Sequence, residues 1–144
     1  MSKIDLSIII VNYRSWKVLS KCIESFDKYL PNLSHEIIVV DNDSQDNQFN
    51  NFKQKFQKIK LIANKGNYGF SSGCNLGAEN AQGEYLLFLN PDITLIRSPA
   101  IDAMYSFALA NPDVGVTSCR TLYSNGKRER EIAFLSPWLT IGWL

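Results

Sequence analysis

A single histidine, His35, leaves the chain without a histidine-based metal or catalytic cluster of its own. Cysteine is scarce as well. Cys22, Cys74 and Cys119 are odd in number and far apart. They form neither a zinc pattern nor a disulfide framework, so reduced thiols in a cytoplasmic protein are the expectation. No charge of one sign predominates: 15 Lys and Arg stand against 14 Asp and Glu, a net charge of +1. That balance gives nucleic acid no electrostatic footing. The nearest basic run, Lys127-Arg-Glu-Arg130, is interrupted by acid and reads as a solvated hairpin face. Long apolar runs are missing too, since Ile8-Ile-Ile-Val11 is too short for a signal-peptide core or a membrane span.

What is present suits one folded domain. A length of 144 residues, with 45% hydrophobic and 20% charged residues, is enough for a proper core. Leu6 to Val11 is almost continuously apolar and β-branched, as a strand buried on both faces should be. From Ser15 the period changes: Trp16, Leu19, Ile23, Phe26 and Leu30 recur every three or four residues and predict a helix that Pro31 closes. Glu36–Val40 reads as a second strand and Phe49, Phe52 and Phe56 as a second helix, followed by a strand over Ile59–Ala63. A helix over Gly69–Ala81 and a strand over Glu84–Leu89 come next. A further helix begins at Ser98, with Ile101, Met104, Tyr105, Ala108 and Leu109 on one stripe, and Asn111-Pro112 ends it. Val114–Cys119 reads as a fifth strand, and Ser124-Asn-Gly-Lys127 as a tight hairpin.

Strands alternating with helices imply an α/β fold in three layers, α/β/α, around a mostly parallel sheet. Ligands of such sheets bind at the carboxyl ends of the strands. Two acidic turns reach that edge, Val39-Val-Asp-Asn-Asp-Ser44 and Leu89-Asn-Pro-Asp92, and together they suit a metal-bound nucleoside diphosphate. Other nucleotide folds are excluded or disfavoured. Asn12-Tyr-Arg-Ser-Trp16 has no glycine, which removes the dinucleotide fingerprint, and there is no Gly-Lys-Ser/Thr loop. A receiver-like domain phosphorylated on Asp41 lacks an acidic pair after the first strand, because Asn12 stands there.

Four blocks in this order and spacing carry a resemblance: Ser7-Ile-Ile-Ile-Val-Asn-Tyr13, Glu36-Ile-Ile-Val-Val-Asp-Asn-Asp-Ser44, Asn64 to Asn75, and Gly83-Glu-Tyr-Leu-Leu-Phe-Leu-Asn-Pro-Asp92. From about Leu6 to Arg120 the chain resembles the N-terminal, donor-binding half of an inverting family-2 glycosyltransferase with the Rossmann-like GT-A fold. The Asn-Pro-Asp form of its metal motif is most similar to the rhamnosyltransferase-like branch, which builds polysaccharides. The resemblance implies a nucleotide site at Val11, Tyr13, Asp41, Asp43, Gly69, Asn75 and Asn90. Tyr13 would stack on a pyrimidine. Asp41, as an acceptor-only carboxylate, would take the base N3–H. Asp92 would ligate a divalent cation, magnesium or manganese, that bridges the diphosphate. The implied donor is a UDP- or dTDP-sugar, and the implied acceptor a saccharide, lipid-linked at the inner face of a membrane.

Plainer readings of the same residues stay open. Asp41 could shape the turn before the second helix, where Asp43 and Ser44 are natural N-caps. Gly66, Gly69 and Gly73 could serve tight turning and helix–sheet packing as readily as ligand approach. The general base that inversion needs is not found, since Glu129 and Glu131 lie in a charged hairpin without a supporting motif. Residues 1–120 are accordingly read as the donor-binding domain. Residues 121–144 are read as a hairpin and an apolar tail, Ser136 to Leu144, of the kind that starts an acceptor-binding half or forms a homodimer contact. A non-catalytic nucleotide or nucleotide-sugar binding module is the alternative.

Overall fold

A computed structural model of the chain describes residues 3–29, 31–96, 100–119, 121–123 and 125–127. Eight elements alternate: β1 (Ile4–Asn12), α1 (Trp16–Lys28), β2 (His35–Asp41), α2 (Gln48–Lys55), β3 (Lys60–Ala63), α3 (Phe70–Glu79), β4 (Gly83–Leu89) and α4 (Ala100–Ala110). The four strands form one parallel sheet in the order β3-β2-β1-β4. Right-handed crossovers explain which side each helix takes. From β1 to β3 the chain steps one way across the sheet, and α1 and α2 pack on one face. The step from β3 to β4 reverses direction, so α3 lands on the opposite face. The reversal leaves a crevice between the carboxyl ends of β1 and β4, the usual ligand position in open α/β sheets.

Alternation along β1 divides the core in two. Leu6, Ile8 and Ile10 join Trp16, Leu19, Cys22, Ile23 and Phe26 of α1, Phe52 of α2 and Ile101 of α4. Trp16 and Phe52 pack with ring centroids 5.2 Å apart, and Tyr85 of β4 meets Tyr105 of α4 edge to face at 5.4 Å. On the other side Ile9, Ile38 and Val40 meet Leu76 and Ala78 of α3. The α3 glycines set that contact. A Cβ at Gly73 would lie 2.7 Å from a Val11 methyl, and one at Gly77 would overlap Ile9, so the helix backbone sits close to β1. Packing is thus one established use of Gly73.

The structure corrects several expectations. Val114–Cys119 is not a strand: its backbone finds no ladder partner among the described residues, and Val116 is 89% exposed. β-propensity needs a neighbouring strand to act on, and β4 is paired only with β1 among the described strands. β4 itself is buried on one side alone. Tyr85, Leu87 and Leu89 pack inward, while Leu86 and Phe88 are 43% and 47% exposed because α3 lies over β1 and β2 instead. Leu109 leaves the predicted stripe of α4 and is exposed. Neither Asp43 nor Ser44 caps α2, whose N-cap is Asn47, preceded by an Asp46 carboxylate that accepts the Gln48 N–H at 3.0 Å. The expected Asn-Gly turn is present around Gly126, closed by the Gly126 N–H to the Tyr123 carbonyl at 2.8 Å. Leu30, Ser98, Arg120, Ser124, Glu129, Glu131 and the tail from Ser136 lie outside the described residues.

Candidate functional site

The end of β1 is tied to the end of β2 by a buried polar knot. Asn12 is fully buried; its Nδ2 donates to Asp41 Oδ1 at 2.8 Å and to Ser44 Oγ at 3.3 Å. Ser44 Oγ donates to the same Asp41 oxygen and accepts the Arg14 N–H at 2.9 Å, while the Ser44 N–H reaches Asp41 Oδ2 at 3.2 Å. Asp41 is therefore turned into the fold, 6% exposed, with three donors from within the chain on its carboxylate. A carboxylate offers about four acceptor positions, so one remains. The backbone around the knot is strained: Arg14, Asp43 and Gln45 all have positive φ, 53°, 62° and 53°. Such left-handed conformations in non-glycine residues persist where surrounding structure enforces them, and they gather at ligand sites.

β1 pairs with β2 as far as Asn12↔Asp41, but its pairing with β4 ends two residues earlier at Ile10↔Leu89. The sheet edge is notched at that point. Val11 lines the notch from below and is buried against α3. Tyr13 stands at its rim, 43% exposed, with the Arg14 guanidinium carbon 5.1 Å from its ring centroid. Asp43 is half-buried beside them, its Oδ2 accepting from Gln45 Nε2 at 2.9 Å.

Across the notch, β4 runs out into an exposed turn closed by the Ile93 N–H to the Asn90 carbonyl at 3.2 Å. Asn90 and Asp92 are both exposed, and neither side chain takes a hydrogen bond from the described residues. The next residues are moored to α1, with the Leu95 N–H donating to Ser25 Oγ at 3.0 Å. Burial first, then the charge of Asp92, push the Cys22 thiol of α1 up to about 12. The turn that carries Asp92 thus leads onto the α1 side of the sheet, the side to which Asp41 and Asn12 turn. Two strand spacings, about 10 Å, separate the β2 and β4 ends.

The described residues hold no group of three or more His, Cys, Asp or Glu able to cage a metal. A divalent cation would therefore depend on Asp92, with Asn90 nearby, and on oxygen ligands from substrate and water. Magnesium is held in that manner, and an exposed carboxylate without a partner among the described residues fits it.

Gly69, the N-cap of α3, has φ 86° and ψ 172°, a conformation essentially reserved for glycine. Asn75 does not join the cluster. Two residues from Gly73 and two from Gly77, it falls on the side of α3 opposite the sheet and is exposed. Sequence reasoning missed Asn42, Asn64, Asn67 and Ser44. The available signal was parity, because residues 41 and 42 at a strand end turn to opposite faces. Two cavities lie elsewhere, about 190 Å³ between α1 and α2 and about 550 Å³ along β4.

Comparison with known proteins agrees with this fold. The family model described as Glycosyl transferase family 2 matches residues 7–142. The minor teichoic acid biosynthesis protein GgaB of Bacillus subtilis is 25% identical over 127 residues, 85% of this chain and 14% of that protein. The crystal structure of S. aureus TarS residues 1–349 in complex with UDP-GlcNAc superposes with a TM-score of 0.65 at 25% identity, covering 76% of this chain and 32% of that one. The mannosyltransferase PcManGT of Pyrobaculum calidifontis, in complex with GDP-Man and Mn²⁺, shares the fold with a TM-score of 0.73 at 16% identity, covering 85% and 37%. The chain spans less than a third of the length of the curated relatives it matches.

Proposed function

The chain belongs to glycosyl transferase family 2, and from that premise we propose that it is the donor-binding part of a transferase. In this reading it holds a UDP- or dTDP-sugar, whose sugar passes with inversion to a saccharide acceptor in polysaccharide synthesis. One observation carries the proposal. At the switch point of the sheet, Asp92, a carboxylate without a partner among the described residues, stands on the same side as the buried Asn12–Asp41–Ser44 knot, across a notch that ends at Val11 and Tyr13. S. aureus TarS bound to UDP-GlcNAc supports a nucleotide-sugar donor, and PcManGT bound to GDP-Man and Mn²⁺ supports a divalent cation.

Each residue has a stated task. Tyr13 offers an exposed ring face to a pyrimidine, and Val11 and Gly69 give the floor and the close backbone approach. Asp41 keeps the turn in shape and directs its remaining acceptor position at the base N3–H; Asp43 and Asn90 border the ribose. Asn75, facing away, is left for whatever packs over α3. Asp92 holds the cation, which when bound offsets negative charge on the departing diphosphate. The acceptor is a saccharide, lipid-linked, met at the cytoplasmic face of a membrane. No helix among the described residues is long and apolar enough to cross one.

Calorimetry with UDP, dTDP and GDP, in manganese and in chelator, tests the reading. UDP and dTDP should bind more tightly with metal, and Asp92→Ala should abolish that enhancement without lowering the melting temperature. Equal affinity in manganese and in chelator would remove the cation from the proposal. Asp41→Asn should cost about 1 kcal/mol of base binding as a charge-assisted bond becomes neutral. The chain alone should bind donor without transferring sugar, since the general base that inversion needs is not found on it; transfer well above background, removed by Asp92→Ala, would overturn that expectation.

A further inference from the structure

The donor-binding reading places the base beside the β2 turn, but it leaves unexplained what holds the loop on the other side of that turn. Val39 and Asp41 turn to the α1 face, whereas Ile38 and Val40 turn to the α3 face. Asn42 follows the α3 side. It is 2% exposed and meets the loop Asn64–Gly69 from beneath. Its Oδ1 accepts from Asn64 Nδ2 at 2.9 Å. Its Nδ2 donates to Asn67 Oδ1 at 2.8 Å and to the Gly69 carbonyl at 3.1 Å. Asn67 Oδ1 in turn accepts the Gly69 N–H at 3.1 Å, fixing the glycine that starts α3. The loop's own residues Lys65, Asn67, Tyr68 and Gly69 are exposed. A solvent-facing loop is therefore tied at its start, middle and end by one buried amide.

Resting on the donor-binding reading, we infer that Asn42 is the positioning residue of the nucleotide pocket. Both its N–H donors are committed inside the chain, so it acts on the loop and not on the ligand. Through that clamp it governs how tightly and how selectively a nucleobase is held beside Tyr13. Only an amide fits the position. It must donate twice and accept once, and a carboxylate there would set lone pairs against Asn67 Oδ1 and the Gly69 carbonyl. Buried side-chain networks of this kind are strongly coupled, so the loss of one member disturbs the others.

The test is a double-mutant cycle of Asn42→Asp and Asn67→Ala, read by UDP and GDP calorimetry in manganese and by hydrogen exchange of residues 64–69 without nucleotide. Asn42→Asp should weaken UDP about tenfold or more, narrow the UDP-to-GDP ratio, and speed exchange in the loop but not in β1 or β2. Combined with Asn67→Ala it should lose less than the two single losses added, because both act through one clamp. Parental affinity, base ratio and loop protection in Asn42→Asp, or strictly additive losses, would overturn the inference. Asn67 is exposed, so Asn67→Ala spares the fold. If Asn42→Asp does not fold, unchanged loop exchange in Asn67→Ala is the overturning result. A parent chain that binds no nucleotide removes the donor-binding reading and this inference together, whereas a binding parent with an indistinguishable Asn42→Asp removes this inference alone.

Discussion

On the α1 face of the sheet, Trp16, Leu19, Ile23 and Phe26 reach down between the side chains of β1, with Phe52 and Ile101 filling in from α2 and α4. On the α3 face the helix brings less bulk: Leu76 and Ala78 meet Ile9, Ile38 and Val40, Gly73 and Gly77 let the backbone rest on Val11 and Ile9, and beyond it Leu86 and Phe88 of β4 stand open. The first face gains stability from buried area and interdigitation. The second gains proximity, which brings the glycine-rich loop and the N-terminus of α3 down to the sheet edge where the nucleotide is proposed to lie. One side of the sheet is held by interdigitated side chains and the other by close backbone approach.

Substitutions can break that comparison. The largest effect is expected on the α1 face: Phe26→Ala should cost about 3–5 kcal/mol in denaturant unfolding, since the side chain is fully buried and the site cannot collapse around the void. Alkaline pH gives the next effect. The Cys22 thiol is raised from 9.0 to about 12, so folding favours its protonated form. That contribution is complete below about pH 9 and is lost as pH rises toward 12, at about 1.4 kcal/mol per pH unit. Unfolding measured between pH 8 and 11 should show this slope, and Cys22→Ala should flatten it. On the α3 face, Gly77→Ala should cost about 1–3 kcal/mol, because the added methyl overlaps Ile9 and the helix must lift. A neutral Gly77→Ala would show that the close approach is slack. The smallest effect belongs to β4: Leu86→Thr should shift stability by no more than about 0.5 kcal/mol.

Much of this was legible in residue order. The three-and-four spacing from Trp16 to Phe26 marks α1, and the apolar run through Ile8, Ile9 and Ile10 marks a strand covered on both faces, because each pattern is local. What failed was decided by neighbours. Among the described residues, Val114–Cys119 has strand composition without a partner, and Leu86 and Phe88 have core composition where no helix covers them, since α3 lies over β1 and β2. At the site, the resemblance implied Asp41 as a base acceptor with a turn-shaping role left open, and composition alone does not reveal that Asn12 and Ser44 hold its carboxylate. Asn42 escaped notice because an amide beside a carboxylate carries no charge to mark it.

The register of β4 bears on the order of assembly. β1 finds β2 across 29 residues of chain, from Leu6 to His35, and β2 finds β3 across 22, from Ile38 to Lys60. β4 returns across 79, from Ile4 to Gly83. Closing the longer loop carries more entropy and slows the step, so the three-stranded unit should form first and β4 should dock last. The same strand, held among the described residues from one edge and one face, should open in native-state exchange without β1 and β2. A nucleotide bridging Asp41 and Asp92 would then slow the opening of β4 more than that of any other strand, giving a kinetic record of occupancy that needs no catalysis to be read.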